Sequence, residues 1–385
     1  MSNVIERWIN NNNTGEGGSS TVQCGIGVES TPQKGRYLVA LRPLRQGELI
    51  ARAVPYILAV NQKRLRSVCD YCFRYNLRDF EAEYSISCDQ CDQVFYCSTE
   101  CKEKAIESYH RAECESFKAV VDDFQDEGRR WNNKKRDQLL CLGKILIRCI
   151  IRKDLEMCDV DAETIDRRKQ FTREKGEGEG YHYTYSDLME LCTNLDSLPR
   201  PKLEMLETVS KIVHSTMKET CKDIIKRHKI TSKKVFELAC REESNAFGLY
   251  LPYRNGRGIV TEDDEGGLFA FGFYPLISLC NHSCSPNIYK MLEGTTYVYR
   301  ALHDIPQGTE LCHSYIDLYK NTNQRRTELR NNYGFTCSCD RCEDENTLED
   351  PFSETHVCSR YMCGGLYIDV KGVRRCHRCG EEREE

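Results

Sequence analysis

The sequence predicts an α+β protein that combines small β-sheets, a helical region and zinc-binding segments. Three observations lead to this fold class. Short aliphatic runs punctuated by glycine, as in residues 34–50, are typical of strands and turns. Apolar residues at helical spacing follow Cys114. Many of the 24 cysteines form close pairs, which is the spacing of metal ligands.

Composition limits the class of protein. A chain of 385 residues exceeds what one hydrophobic core usually organises, so we expect two or three units. Charged residues make up 30% and hydrophobic residues 39%, which fits neither a disordered nor a membrane protein. No run approaches the roughly 20 apolar residues of a membrane span, and residues 1–10 do not resemble a secretory signal.

The charge and the cysteines point to an intracellular metalloprotein. The formal net charge of -5 becomes more negative when thiolates bind metal, which argues against nucleic acid as the main partner and favours a basic one. Paired cysteines in a long chain without a signal favour metal over disulfides. We expect a monomer in the nucleus, the cytoplasm or both, without membrane association.

The first cysteine cluster, residues 69–114, is called the finger below. It contains eight potential ligands, enough for two tetrahedral zinc sites. The alternative is that these cysteines are structural thiols that bind no metal. Interleaved ligand pairs are typical of a cross-braced fold. The expected sites are Cys69, Cys72, Cys97 and Cys101, and Cys88, Cys91, His110 and Cys114. Four protein ligands leave no open position on the metal, so both ions are expected to be structural.

Local patterns predict the elements around the finger. Residues 10–20 are rich in Asn, Gly and Ser and indicate a flexible lead. Apolar residues between Leu139 and Ile151 predict a packed helix. Another helix is expected to open at Ser186, and residues 233–249 are predicted to form a helix that runs into the Ser244–Gly248 segment. Residues 268–274 alternate like a strand.

The most informative segments lie late in the chain. Residues 281–287 read Asn-His-Ser-Cys-Ser-Pro-Asn, residues 308–311 read Gly-Thr-Glu-Leu, and Tyr315 and a Cys-x-Cys-x2-Cys run at 337–342 follow. This order resembles the catalytic half of a SET-domain lysine methyltransferase. Residues 34–50, before the finger, resemble the start of the same domain, so the finger interrupts it. The whole arrangement therefore resembles the SET and MYND domain family, commonly called SMYD.

The resemblance implies a split SET domain with an inserted cross-braced MYND finger, a helical insert and a cysteine-rich post-SET tail. The expected boundaries are a lead at 1–30, the first SET part at 31–68, the finger at 69–114, a helical linker and insert at 115–243, the catalytic core at 244–320, the post-SET segment at 321–345 and a zinc-ribbon-like tail at 346–385.

The resemblance also implies S-adenosylmethionine as the cofactor. The residues expected to contact it are Lys34, Arg36, Asn194, Asn245, Ser278, Asn281, His282, Tyr315, Tyr333 and Phe335. Lys34 and Arg36 are alternatively solvated loop cations, and Asn194 is alternatively an ordinary polar helix residue. One departure from the family is Tyr37, which stands where a glycine is usual and is expected to narrow the pocket.

In the family, the catalytic role falls on Tyr315, whose hydroxyl is expected to orient the attacking lysine amine together with nearby carbonyls. Tyr315, Tyr333 and Phe335 are expected to line the lysine channel. A phenol titrates near 10, so Tyr315 is not expected to act alone as the base.

Two further zinc sites are expected. The post-SET site takes Cys284, Cys337, Cys339 and Cys342. Where family members commonly continue into a long helical domain, four cysteines predict a fourth site instead. They are Cys358, Cys363, Cys376 and Cys379.

The resemblance therefore implies a protein-lysine methyltransferase that acts on a lysine of a histone or another protein, with the MYND finger as a docking surface for a protein partner. The alternative is a SET protein that has lost activity and serves as an interaction or transcriptional cofactor protein. Tyr37 favours the alternative, whereas Tyr315, Asn281, His282 and the post-SET cysteines favour the enzyme.

Overall fold

The computed structural model describes residues 25–32, 34–76, 79, 82–127, 131–157, 183–250, 267–318, 320–343, 367–370, 373–376 and 380–383. Cys358, Cys363 and Cys379 of the expected fourth zinc site lie outside these residues, as does the side chain of Cys376. Among the described helices, none has the length and apolar character needed to cross a membrane.

The described strands are short. They are β1 (Ile26–Thr31), β2 (Gly35–Ala40), β3 (Leu49–Ala53), β4 (Ile57–Val60), β5 (Ile86–Ser87), β6 (Phe95–Tyr96), β7 (Ala246–Tyr250), β8 (Leu268–Phe273), β9 (Asn281–His282), β10 (Ile288–Glu293), β11 (Thr296–Ala301), β12 (Cys312–His313), β13 (Tyr367–Val370), β14 (Val373–Cys376) and β15 (Glu382–Arg383). Short strands in several small sheets agree with the predicted α+β class.

The sheets join the segments of the chain that precede and follow the finger. Antiparallel sheets have the strand orders β10-β11-β3 and β4-β8-β7, so each combines strands from before and after the finger. Strands β9 and β12 pair in parallel, which places Asn281 and His282 beside Cys312 and His313. The core is therefore complete only when the segments before and after the insertion meet.

The described α-helices are α1 (Thr99–Ala105), α2 (Arg111–Glu127), α3 (Asn133–Met157), α4 (Tyr185–Met189), α5 (Arg200–Thr220), α6 (Lys222–Arg227), α7 (Ser232–Asn245), α8 (Thr322–Tyr333) and α9 (Asp340–Glu343). Helix α3 is buried from Leu139 to Ile151, as its apolar spacing predicted. It packs on α2, α5 and β4, and thus lies between the finger and the core sheets.

One predicted element boundary is confirmed and another is wrong. The strand predicted at residues 268–274 is confirmed by β8. The helix predicted to run to residue 249 is wrong in its last turn, because α7 ends at Asn245 and Ala246 already pairs with Phe273 of β8. The backbone groups of this segment find sheet partners there, and this tertiary pairing overrides the helical pattern.

Candidate functional site

One cavity collects the cofactor residues that the sequence predicts. It has a volume of about 800 Å³ and is partly open to solvent. All ten predicted residues line it, namely Lys34, Arg36, Asn194, Asn245, Ser278, Asn281, His282, Tyr315, Tyr333 and Phe335. They come from the start of β2 and the residue before it, the loop after α4, the end of α7, the turn before β9, β9 itself, the loop after β12 and the end of α8 with the segment that follows it. Residues distant in sequence thus share one concave surface.

Acidic partners accompany both cations at the rim of the cavity. Lys34 Nζ lies 2.5 Å from Glu310 Oε2, and this hydrogen bond raises the pKa of the lysine. Glu310 Oε1 also accepts a 2.9 Å hydrogen bond from Asn281 Nδ2. Arg36 contacts the carboxylate of Glu190 at 3.4 Å and its backbone carbonyl. The cations are therefore held in place by acids, of which Glu310 belongs to the 308–311 motif and Glu190 was not indicated by the sequence.

The side chain of Tyr37 is not among the residues that line the cavity. Its hydroxyl donates a 3.0 Å hydrogen bond to Glu29 of the neighbouring strand β1, and Lys34 Nζ lies 5.5 Å from the centre of its ring. Tyr37 therefore does not narrow the cavity in the way that the sequence led us to expect.

Tyr315 is fixed at both ends. Its hydroxyl donates to the carbonyl oxygen of Cys280 at 2.7 Å, and its backbone N–H donates to His282 Nδ1 at 3.0 Å. Burial raises the pKa of Tyr315 well above 10, so the phenol is neutral at physiological pH. Because Nδ1 accepts, a neutral His282 carries its proton on Nε2, which lies 3.2 Å from Cys284 Sγ.

Aromatic rings close around Tyr315 on the cavity side. The ring centres of Tyr315 and Tyr333 are 5.0 Å apart, and that of Phe335 is 6.4 Å from Tyr315 at an angle of 89°. The Tyr333 hydroxyl donates to the Tyr315 carbonyl at 3.2 Å. This wall could hold an aliphatic stem and exclude water.

A second group of rings lies around Tyr315 and was missed by the sequence analysis. His313 is 5.0 Å from Tyr315 between ring centres, and Phe247 and Tyr299 lie 6.2 Å and 5.6 Å from His313. His313 Nδ1 donates to the Ser314 carbonyl at 3.0 Å. Its Nε2 and the Tyr299 hydroxyl are buried without a hydrogen-bond partner among the described residues. Alternation along β11 was a signal for Tyr299, whereas the two-residue strand β12 offered none for His313.

The predicted asparagines have different surroundings. The Asn245 side chain donates to the carbonyls of Cys192 and Arg241, both at 2.8 Å, and is buried. It therefore fixes the loop after α4 against α7. Asn194 adopts a left-handed backbone with φ of 48°, and its carbonyl accepts from Ser197 N–H at 2.9 Å. It belongs to a loop turn and not to a helix.

The structure brings twelve predicted metal ligands into three groups. They are Cys69, Cys72, Cys97 and Cys101; Cys88, Cys91, His110 and Cys114; and Cys284, Cys337, Cys339 and Cys342. Within each group all ligand atoms lie within 4.8 Å of one another. The grouping is the interleaved one that the sequence predicts.

The distances fit zinc better than disulfides. Zn–S bonds of about 2.3 Å at tetrahedral angles place sulfur atoms about 3.8 Å apart, whereas a disulfide requires about 2.05 Å. Cys72 and Cys97 are 3.6 Å apart, Cys88 and Cys114 also 3.6 Å, and Cys284 and Cys342 3.5 Å. The three groups could each hold a zinc ion.

Comparison with known proteins agrees with this geometry. The histone-lysine N-methyltransferase ASHR1 of Arabidopsis thaliana is 25% identical over 362 residues, covering 92% of this chain and 64% of that protein. A SET and MYND domain-containing protein of Dictyostelium discoideum is 30% identical, covering 86% and 61%. The N-lysine methyltransferase SMYD2 of Homo sapiens is 27% identical, covering 81% and 59%.

The chain spans about three fifths of the length of these relatives. Their names confirm the resemblance to SET and MYND domain proteins that the motifs indicated. The family model described as the SET domain matches residues 35–316, and the chain therefore belongs to the SET domain family.

Proposed function

We propose that the protein is an S-adenosylmethionine-dependent protein-lysine N-methyltransferase. The observation that carries the proposal is the convergence of all ten predicted residues on one cavity, with Tyr315 in its wall. Two curated relatives are named as lysine methyltransferases, which supports the same activity. The substrate is a lysine of a histone or of another protein.

The cavity fits the cofactor in size and chemistry. Its volume of about 800 Å³ lies within the usual range for small-molecule sites, and its wall combines aromatic rings with amides and cations. Lys34 and Arg36 would face the carboxylate, and Asn281 and His282 the remaining polar groups. When bound, S-adenosylmethionine supplies a methyl group on a positively charged sulfonium, which a neutral lysine amine attacks in line.

The residues around Tyr315 are suited to align that amine. The Tyr315 hydroxyl donates its hydrogen bond to the Cys280 carbonyl oxygen, so its lone pairs are free to accept a hydrogen bond from the amine. Tyr333 and Phe335 would hold the lysine stem and keep water away. The neutral phenol positions the amine and does not remove its proton, which leaves to solvent before the amine enters.

The finger and the cysteine groups have supporting roles in this proposal. Two zinc ions fold the MYND-type finger, which docks a protein partner, and a third holds the post-SET segment beside Tyr333 and Phe335. A fourth zinc in the tail, the domain boundaries given above, a monomeric state and residence in the nucleus or the cytoplasm belong to the same proposal. The outward position of Tyr37 supports the enzyme over the inactive alternative.

Calorimetric titration of the zinc-loaded protein with S-adenosylmethionine tests the proposal, followed by labelling of cell proteins with a radioactive methyl donor. We expect binding by the wild type and by Tyr37→Gly alike, and lysine labelling that is lost in Tyr315→Phe. A folded, zinc-loaded wild type that does not bind the donor, while Tyr37→Gly does, would instead establish the interaction protein.

A further inference from the structure

A single buried arginine lies between the finger and the core. Arg148 belongs to α3 and its side chain is 7% exposed. Its five N–H donors all have acceptors. Nε donates to Glu113 Oε2 at 2.9 Å and Nη2 to Glu113 Oε1 at 2.5 Å. Nη2 and Nη1 donate to the Asp70 carboxylate at 2.9 and 3.3 Å, and Nη1 also donates to the Leu58 carbonyl at 2.9 Å.

The two carboxylates lie beside different metal-ligand groups. Asp70 lies between Cys69 and Cys72 in the sequence, and both cysteines belong to the first group of the finger. Glu113 precedes Cys114, and its Oε1 lies 3.3 Å from His110 Nδ1. His110 in turn presents Nε2 to the second group. A neutral His110 that binds metal through Nε2 donates its Nδ1–H to Glu113, which orients the imidazole.

The third partner of Arg148 belongs to the core. Leu58 lies in β4 and pairs with Gly272 of β8. Strand β8 runs into the segment that carries Ser278 and Asn281 of the cavity wall. The guanidinium thus contacts the surroundings of both finger groups and the β4-β8-β7 sheet at once.

The two carboxylates depend on one another through this guanidinium. All three charged side chains are almost fully removed from water, where an ion is stable only with its partners in place. Tyr109 and Phe117 cover the guanidinium, with ring centres 5.0 and 5.2 Å from Cζ. If His110 loses its metal ion and Glu113 moves with it, Arg148 keeps only one of its two carboxylate partners. The hydrogen bonds between Arg148 and Asp70 then change as well.

We propose that Arg148 is a positioning residue shared by the two finger zinc sites, which makes their zinc occupancy cooperative and couples it to the β4-β8-β7 sheet. The proposal rests on zinc binding by the finger in the proposed function, and it does not depend on methyl transfer. The stability of the core sheet then depends on whether the finger holds zinc, and the finger is not an independent domain.

The test measures the first site when the second is damaged, using the full chain. Cys114→Ser removes a ligand of the second site, and zinc affinity of the first site is then measured by competition with a chromogenic chelator. With Arg148 present we expect a loss of about tenfold or more at the first site, the size typical of disturbed outer-shell partners. In the Arg148→Met background, Cys114→Ser should cause no further loss there.

Lys144→Met is the matched control. Lys144 is also a buried cation of α3, but it donates to Gln62 and Gln93 at 2.9 and 3.0 Å and contacts neither carboxylate. It should leave the coupling between the two sites intact. If Arg148→Met does not fold, Glu113→Gln and Asp70→Asn keep the shape of each partner and should weaken the coupling in the same direction.

Hydrogen exchange of residues 57–60 provides a readout in the core. Cys114→Ser should speed their exchange when Arg148 is present and have little effect in Arg148→Met. An unchanged first site and unchanged exchange in Cys114→Ser would overturn the proposal, as would loss of coupling in Lys144→Met. A wild-type finger that binds no zinc would overturn the zinc assignment itself, which distinguishes the two failures.

Discussion

The Tyr315 hydroxyl donates a hydrogen bond of 2.7 Å to the backbone carbonyl of Cys280. Cys280 immediately precedes Asn281, so the bond ties the tyrosine to the start of the motif that lines the cavity. The second tie, from the Tyr315 backbone to His282, comes from the same motif. Tyr315 is therefore positioned by the segment that would hold the cofactor.

Replacing Tyr315 by phenylalanine removes only the hydroxyl. We expect methyl transfer to fall by about 10²–10³-fold, the usual effect of losing one aligned polar group, while stability drops by about 1 kcal/mol for the lost hydrogen bond. Initial rates with a labelled methyl donor and thermal unfolding check both. Tyr333→Phe is the control, since its hydroxyl bonds the Tyr315 carbonyl, and its loss should be milder. Full activity of Tyr315→Phe would contradict the proposed role.

Gly334 is required where the post-SET segment meets the loop after α4. Its φ is 76°, and an added Cβ would lie 2.6 Å from the Ser197 Cβ. Gly334→Ala should destabilise the protein by more than the roughly 1 kcal/mol of a left-handed backbone and weaken donor binding, because Tyr333 and Phe335 flank it. Gly308→Ala has the same backbone cost with φ of 80° and no atom within 4 Å of the added carbon. Donor binding by calorimetry and the free energy of unfolding should both be reduced more in Gly334→Ala than in Gly308→Ala. Equal effects of the two variants would exclude a clash with Ser197.

His313 predicts a dependence of stability on pH. Burial holds its pKa well below 6.5, with Lys290 and His282 adding to the effect, whereas an unfolded histidine titrates near 6.5. Its contribution is present above pH 6.5 and is lost as pH falls below that value, with a slope of at most about 1.4 kcal/mol per pH unit. His313→Leu should therefore lose less stability than the wild type between pH 7 and 5.5. Denaturant unfolding at each pH, on samples of equal zinc content, measures this. Parallel curves would refute it.

Metal analysis should separate the cysteine groups. The three described groups predict three zinc ions per chain, and the tail predicts a fourth. Cys284→Ser should lose one ion and donor affinity together, because His282 Nε2 lies 3.2 Å from the Cys284 sulfur. Cys192→Ser, which changes a cavity residue outside the metal groups, should keep every ion. Zinc content that does not change in Cys379→Ser would remove the tail site.

The ligand groups and the cavity wall could be predicted because their signals are local. The interleaved order of the cysteine pairs, which is typical of a cross-braced fold, predicted the grouping, and the resemblance of short motifs to a known family indicated Asn281, His282 and Tyr315. Contacts between residues that are distant in the sequence have no such local signal. Glu310 bonds Lys34 across 276 positions, and Arg148 is one of several cations of α3, so the sequence does not reveal that its charge is buried between two carboxylates.

The end of α7 illustrates the same limit from the side of secondary structure. The helical pattern extends to residue 249, yet Ala246 to Tyr250 pair with β8. Sequence periodicity reports which face of a segment is apolar, but it does not report that a neighbouring strand offers backbone partners. His313 and Tyr299 were missed for a related reason, since only the assembled sheets bring their rings beside Tyr315.

The pairing of Val60 in β4 with Ala270 in β8 has a consequence for synthesis on the ribosome. Strand β4 emerges long before its partner, and at roughly 5–20 residues per second the wait lasts on the order of 10 to 40 s. During that time its apolar face and unpaired edge would be exposed to other nascent chains unless another part of the chain covers them. The finger and α3 emerge in the interval, and their early assembly would shield β4. Cells starved of zinc should therefore lose this protein to aggregation as it is made.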